Sequence, residues 1–587
     1  MSLKSLIKSL FSRAASPDAA EHSSANLLAE AAALLAAGQW DVAERKLRSV
    51  VAAEPRNAEA HLQLGMLLGH CDKLDEARLH LTVAIAENPR SPDAHNALGN
   101  IHLLKGELDS AERCYAAALK LNPGSAPTYL NLGLLAQSRF DHAAALAHFE
   151  KARQLAPAMP GLLKIVIVEK VELGQAAGAE ALLRNLDVQD GRGAEYQYCL
   201  GYVLLHLQQP HAAVDYLERA KTAAPRDPEV LLQLGIALRE TGEVDQAIAY
   251  FDRALAEDPG LNLAQWHKSL ACLTVHDFSR GWQHYDLRLQ SRDRPQRADT
   301  YPQWDARPAP AARVLVFGEQ GPGDEIMFAA CLPQLIASVD KCVVECSPKL
   351  VRLFSRSFPG AEVRAAATEV PAGGEDRFDA QIALGSLPKV WRRSGADFPE
   401  HCGYLRADVA KAAAWRQRLD GLGKGLKVGI SWRGGTDKTR AYMRSIPLQQ
   451  WGAILQVPGV HFIDLQYTDC GDEVTAAASA HGVTIHRWQE PREDLDEAAA
   501  LVESLDLVIS VCTTLIHLGG ALGKPVWVLT PYSPEWRYGI RGERMPWYPS
   551  VRLFRQPGFG VWEPVMQGVA KSLRAQCESA DRGDASA

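Results

Sequence analysis

The chain has 587 residues, 47% hydrophobic and 23% charged, with a formal net charge of −7. That length exceeds what one hydrophobic core organises and sets a prior of roughly three to five domains. The mild acidity gives no basis for a nucleic-acid partner, and no apolar run is long enough to span a bilayer.

Residues 1–24 form a tail in which Leu3, Leu6, Ile7, Leu10 and Phe11 share a helical face opposite Lys4, Ser5, Lys8 and Ser9. The tail lacks the compact apolar core and cleavage pattern of a secretory signal. It reads either as a frayed cap on the helical region beginning near residue 25 or as an amphipathic helix for a membrane surface or a partner, the only place where membrane contact is expected. The eleven cysteines make no C-x-x-C pair, and Cys342 and Cys346 lie in the apolar run CVVEC, so a reduced, cytoplasmic setting is expected.

From 25 to 290 the chain repeats itself. Pro55, Pro89, Pro123 and Pro157 stand 34 apart, and Pro225 and Pro259 keep the phase. Gly65, Gly99, Gly133, Gly201 and Gly235 follow the same register, as do Ala43, Ala77, Ala111, Ala145, Ala213 and Ala247. Small residues let two helices approach, and proline ends the second of them. The pattern resembles the tetratricopeptide repeat, about seven to eight units of paired helices stacked as an α-solenoid. One unit, 160–193, is degenerate, with Ile167 in the glycine position and Gly191 in the proline position. Tyr115, Phe149 and Phe251 are expected to fill the space between neighbouring repeats. A last unit, FSRGWQHYDLRL from Phe278, is expected to close the array. Such arrays hold peptides or proteins, and register places Asn96, Asn100, Tyr198 and Tyr202 in the groove. No Lys–Arg cluster is present there to clamp an acidic peptide terminus.

Residues 291–312 are rich in Arg, Asp and Pro and read as a linker. Beyond it, short β-branched runs alternate with helical stretches: VLVFG, CVVEC and DAQIAL, then LKVGISW, VHFIDLQ, VTIHRW, DLVISV and PVWVLT. This is the pattern of parallel sheets in α/β layers. Two Rossmann-like halves are expected, 313–408 and 426–575, joined by a connector at 409–425 and followed by a tail at 576–587. Their strand ends would face a ligand cleft. The first strand runs into Glu319-Gln320-Gly321-Pro322-Gly323-Asp324, a glycine loop that is neither a dinucleotide nor an ATP fingerprint. It reads as a ligand-approach loop or as an ordinary turn capped by Asp324. In the second half, Thr513 and Thr514 open a helix containing His517, Gly519 and Gly520, a start suited to a diphosphate or simply to helix packing. Arg433 and Arg444, in the loop RGGTDKTRAYMRSIPLQQW, can pair with phosphates or remain solvated. Asp494-Leu495-Asp496 reads as a helix cap, and no metal site is expected.

EQGPGDEIMF, RSIPLQQW, DLVISVCTTLIHLGGALGKPVWVL, EWRYGI, PWYP and RLFRQ, in that order, resemble bacterial repeat-linked glycosyltransferases of the heptosyltransferase-like GT-B kind. The architecture is also similar to that of the O-linked N-acetylglucosamine transferases. The resemblance implies a metal-independent enzyme with no cofactor beyond its nucleotide-sugar co-substrate. It implies Asp324 as general base, with Gly321, Gly323, Arg433, Arg444, Thr513, Thr514, His517, Gly519 and Gly520 on the donor side. The acceptor it implies is a protein, such as flagellin or another surface protein, recruited by the repeats. Relatives carry Asp-Thr where this chain has Cys512-Thr513. The other readings are a scaffold with a degenerate, non-catalytic GT-B region, or a transferase acting on glycolipid or polysaccharide.

Overall fold

The computed structural model describes residues 24–186, 193–290, 301–307, 309–366, 377–435 and 441–584. The N-terminal amphipathic segment therefore lies outside the described residues, apart from its last position. The chain divides into two compact units at Pro225/Arg226. Among the described residues no helix is long and apolar enough to cross a membrane.

The first unit is a run of helix pairs, from Ser24–Ala36 with Trp40–Ala53 to Ala194–His206 with Pro210–Ala223. First helices open on polar caps: Asn57, Ser91 and Ser125 each accept a backbone N–H from the first turn. Second helices close at Glu54, Asn88, Asn122 and Ala156, each directly before a proline of the series. Ala43, Ala77, Ala111, Ala145 and Ala213 are fully buried. The glycines have a steric explanation. A Cβ on Gly99 would lie 2.5 Å from the Tyr115 ring, and one on Gly201 2.5 Å from Leu217. Tyr115 and Phe149 thus lodge in the notch that the missing Cβ leaves on the first helix of their own repeat, and the equivalent Phe251 also stacks on His267 of the following helix. The degenerate repeat keeps its pair, Leu162–Glu172 and Ala176–Arg184, but with a shortened second helix and Ile167 fully buried.

The second unit opens with three more helices of repeat type, Pro228–Glu240, Val244–Glu257 and Asn262–Thr274, with Gly235 notched against Phe251. From Phe278 the pattern changes. The helix Phe278–Gly281 and the 3₁₀ turn Tyr285–Gln290 drive Trp282, Tyr285 and Arg288 into the next layer. Trp282 Nε1 donates to the Arg392 carbonyl at 2.7 Å. Arg288, only 5% exposed, donates to Glu319 at 2.9 Å and Ser386 at 3.0 Å. A buried guanidinium is tolerated only with such partners.

Strands β1 (Ala309–Phe317), β2 (Val339–Cys346), β3 (Ala361–Ala365) and β4 (Ala380–Ala383) form a parallel sheet ordered β3-β2-β1-β4. β1 begins inside the stretch read as linker, at Ala309. The helix Val409–Asp420 leads to a second sheet. It comprises β5 (Leu426–Ser431), β6 (Val460–Asp464), β7 (Ile485–His486), β8 (Leu507–Val511), β9 (Val526–Thr530), β10 (Arg544–Met545) and β11 (Tyr548–Arg555). The order is β10-β11-β9-β8-β5-β6-β7, parallel except for β10 against β11. β8 is buried along its whole length, as the central strand of a covered parallel sheet must be. The C-terminal region is thus α/β, with parallel-rich sheets.

Candidate functional site

The ends of β1 and β8 each hand the chain to a helix: Pro322–Phe328 after the glycine loop, and Thr514–Ala521 after Cys512-Thr513. Gly323 lets these starts touch. A Cβ there would lie 3.2 Å from both the His517 ring and Thr514 Oγ1. Beside the contact is a cavity of about 410 Å³ lined by Gly321, Asp324, Arg444, Thr513, Thr514 and His517, together with Cys512, Glu535, Arg537 and Tyr538. Gly321 faces open space, with nothing within 4 Å of where its Cβ would stand.

The electrostatics centre on four side chains. Arg537 Nε donates to Asp324 Oδ1 at 2.7 Å, and its Nη2 pairs with the same oxygen. Arg537 Nη1 donates to Glu535 Oε2 at 3.1 Å, and Arg444 Nη1 donates to Glu535 Oε1 at 2.9 Å. Glu535 therefore bridges two arginines, and Asp324 Oδ2 makes no hydrogen bond among the described residues. Burial works against the Arg537 charge, and the carboxylates of Asp324 and Glu535 more than restore it. Arg444 Nε is buried with no partner. Gly435, at φ +82°, makes room for the Arg444 guanidinium. Arg555 fixes the loop that carries Arg537, donating to the carbonyls of Tyr538 at 2.6 Å and Gly539 at 2.8 Å.

His517 is 4% exposed, and its Nδ1 lies 3.2 Å from the Tyr548 hydroxyl. Burial, reinforced by the Arg537 charge, pushes its pKa down to about 3, so the ring is neutral at physiological pH. Cys512 is buried beside the Tyr538 hydroxyl, and burial pushes its thiol up to about 12. A protonated, enclosed thiol is no nucleophile.

Three readings need correction. Arg433 turns away from the cavity, donating to the Asp469 carbonyl at 2.8 Å and pairing with Glu473, because its strand end faces the helix at Gly471–His481. Gly519 and Gly520 serve packing: a Cβ on Gly519 would lie 2.6 Å from Val526, and Gly520 abuts the Tyr548 ring. In the repeats, Asn100 is 2% exposed and accepts the Tyr115 hydroxyl at 2.8 Å, so it is interior. Tyr198 is likewise buried, under Lys164, and stacks on the half-buried Tyr202. Asn96 accepts from Asn131 of the next repeat at 2.9 Å. Asp494 caps the helix Leu495–Ser504, its Oδ1 accepting the Asp496 N–H at 3.0 Å. Among the described residues no three His, Cys, Asp or Glu side chains are grouped to hold a metal ion.

Arg537 and Glu535 had no role assigned from sequence. The signal was present in EWRYGI, whose acidic and basic residues closely follow the end of β9.

Models of the tetratricopeptide repeat match residues 34–101, 92–125 and 204–272. The chain carries these repeats in its N-terminal region. It is similar to protein FlbA of Caulobacter vibrioides, 32% identical over 64% of this chain and 66% of that protein, just under two thirds of its length. Among solved structures it is similar to a tetratricopeptide repeat protein from Parabacteroides merdae, 17% identical, covering 42% of this chain and 98% of that one, TM-score 0.36. It is also similar to the repeat protein TTC0263 of Thermus thermophilus, 18% identical, covering 37% and 99%, TM-score 0.26.

Proposed function

We propose that the C-terminal region is a metal-independent glycosyltransferase of the two-Rossmann-half, heptosyltransferase-like kind. It moves a sugar from a nucleotide donor to a hydroxyl of a protein, such as flagellin or another surface protein, recruited by the repeats. One observation carries this reading. A carboxylate from the first sheet, Asp324, shares a single cavity with two arginines and a helix start from the second sheet.

The chemistry derives from that set. The donor diphosphate lies against the N-terminus of Thr514–Ala521, whose free N–H groups and partial positive charge favour an anion. Arg444 and Arg537 neutralise it, exchanging part of their bonding to Glu535 and Asp324 for phosphate oxygens. The acceptor oxygen attacks the anomeric carbon. As that bond forms, the sugar–phosphate C–O bond breaks and its electron pair leaves with the nucleoside diphosphate. Asp324 Oδ2 takes the hydroxyl proton. The arginines stabilise the charge that grows on the leaving phosphate. His517, neutral, offers Nε2 for one hydrogen bond and no charge.

Nucleoside diphosphates tested by thermal shift on the full chain check the reading. A ligand at a hundred times its dissociation constant stabilises by about 2.7 kcal/mol. Stabilisation by one base over the others is expected, and no shift with any nucleotide would move the weight to a scaffold. The closed Asp324–Arg537–Glu535–Arg444 network is what favours that second reading, since it satisfies the charges with no ligand bound.

A further inference from the structure

A cavity of about 690 Å³ shares no lining residue with the one that holds Asp324. It lies between the short helical turns of Leu448–Leu455 and the start of the helix Glu563–Asp584. Both walls are anchored. Ile454 and Leu455 on one side, and Val565 and Met566 on the other, are buried in a single core cluster, against which Trp562 packs. Gly452 leaves a notch for His481, since a Cβ there would lie 2.7 Å from that ring. His481 Nε2 donates to the Gln449 carbonyl at 3.1 Å, which in the neutral ring leaves Nδ1 as an acceptor.

The lining is polar and almost uncharged. Gln449, Gln450, Gln456 and Gln567 border it, and among the described residues no lysine or arginine does. Its one carboxylate, Glu563, already accepts Gln567 Nε2 at 2.8 Å. The carboxamides of Gln449, Gln450 and Gln456 and the indole N–H of Trp562 have no hydrogen-bond partner among the described residues.

We infer that this cavity binds a neutral oligosaccharide. A carboxamide both donates and accepts, as a sugar hydroxyl does, so each glutamine can exchange hydrogen bonds with a sugar edge. The indole of Trp562 and the exposed Val561 supply apolar surface for the C–H groups of a sugar face. An anionic ligand would meet a carboxylate and no cation. An extended peptide would need a strand edge to pair with, and no lining residue belongs to a strand. The volume falls in the range of small-ligand sites. The assignment stands apart from the transferase reading, because none of the residues given a role there lines this cavity.

The test uses the full-length protein and free trisaccharides of glucose, galactose, mannose and N-acetylglucosamine, with sialyllactose as the anionic control. Saturation-transfer NMR detects binding, and titration then gives the affinity. At least one neutral trisaccharide is expected to bind, in preference to the anionic one. Trp562→Ala should weaken that binding by about tenfold or more. Gln456→Ala should weaken it by about threefold. Gln456 is exposed, so its truncation leaves the fold intact and keeps the test decisive if Trp562→Ala does not fold. Failure of every neutral trisaccharide to bind would overturn the assignment. So would binding that both variants leave unchanged, or a preference for sialyllactose. If displayed heptapeptides bind in place of sugars and the same variants abolish it, the occupant is a peptide and the assignment falls.

Discussion

In the repeat array each glycine of the 34-residue series answers to a large side chain of its own repeat, whereas Gly321 in the cleft answers to nothing in the protein. The two regions use charge as differently as they use glycine. Array ion pairs such as Arg56–Glu87 and Arg226–Glu257 sit on the surface, with the arginine more than four-fifths exposed, where a pair contributes little. In the α/β region Arg537, Glu325 and His517 are buried or nearly so. Positions that packing explains belong to the scaffold. In the cleft, an open glycine coincides with enclosed charge, and it is that coincidence which marks the site.

The sharpest way to break that distinction is Asp324→Asn. Removing a general base should lower transfer by about 10² to 10⁴ while nucleotide affinity persists. Unchanged single-turnover transfer would remove Asp324 from the chemistry. Next in size is a pair of glycine substitutions. Gly133→Val drives methyl groups into the Phe149 ring and should cost the array about 1–3 kcal/mol, read as a lowered thermal transition. Gly321→Ala should leave thermal stability within about 0.5 kcal/mol and weaken nucleotide binding instead. Equal losses of stability in the two variants would erase the contrast.

Buried charge gives a pH signature. Burial, with Glu319 and Asp324 adding to it and a Ser347 N–H opposing, pushes the Glu325 pKa up to about 7. The unfolded chain gives up that proton near about pH 4.3, so this group's contribution is present below that pH. It is lost at about 1.4 kcal/mol per unit as pH rises towards 7. His517 runs the other way: its folded pKa lies below the unfolded value, so its contribution is present above about pH 6.5 and is lost as pH falls towards 3. Relative to wild type, Glu325→Gln should therefore gain stability between about pH 4.3 and pH 7 and keep that gain above it, measured as the difference in melting temperature. A constant difference would mean that Glu325 ionises normally.

The array was legible because its rule is local: one period sets glycine, alanine and proline alike. The strands legible in the sequence include the central β5 and β8, buried and β-branched, and also the edge strands β4, within DAQIAL, and β7, within VTIHRW. β3 is illegible, although AEVRA alternates as a half-buried strand does, because five residues with a single β-branched side chain are a short signal, and β11 because Pro549 interrupts it and pairing with β9 starts only at Val551. At the site, glycine and threonine signals placed Gly323, Thr513 and Thr514 where they line the cavity. Arg433 and Arg444, in one loop, could not be told apart from sequence. Which guanidinium enters depends on Glu473 and Glu535, partners that only the fold supplies.

The smallest expected effect is the most informative about the network. Glu535 holds Arg444 and Arg537 at once, as a bound dianion would. It therefore competes with the donor phosphates for the same guanidinium groups. In Glu535→Gln the competing charge is gone and the arginines are left facing the cavity, so nucleoside diphosphate should bind more tightly, by about tenfold or 1.4 kcal/mol. The same variant should melt lower without nucleotide, because two part-buried cations lose a shared counter-charge. Isothermal calorimetry separates this from its rival. If Glu535 instead serves to aim the arginines, the variant will bind nucleotide more weakly than wild type, and the carboxylate is part of the binding geometry.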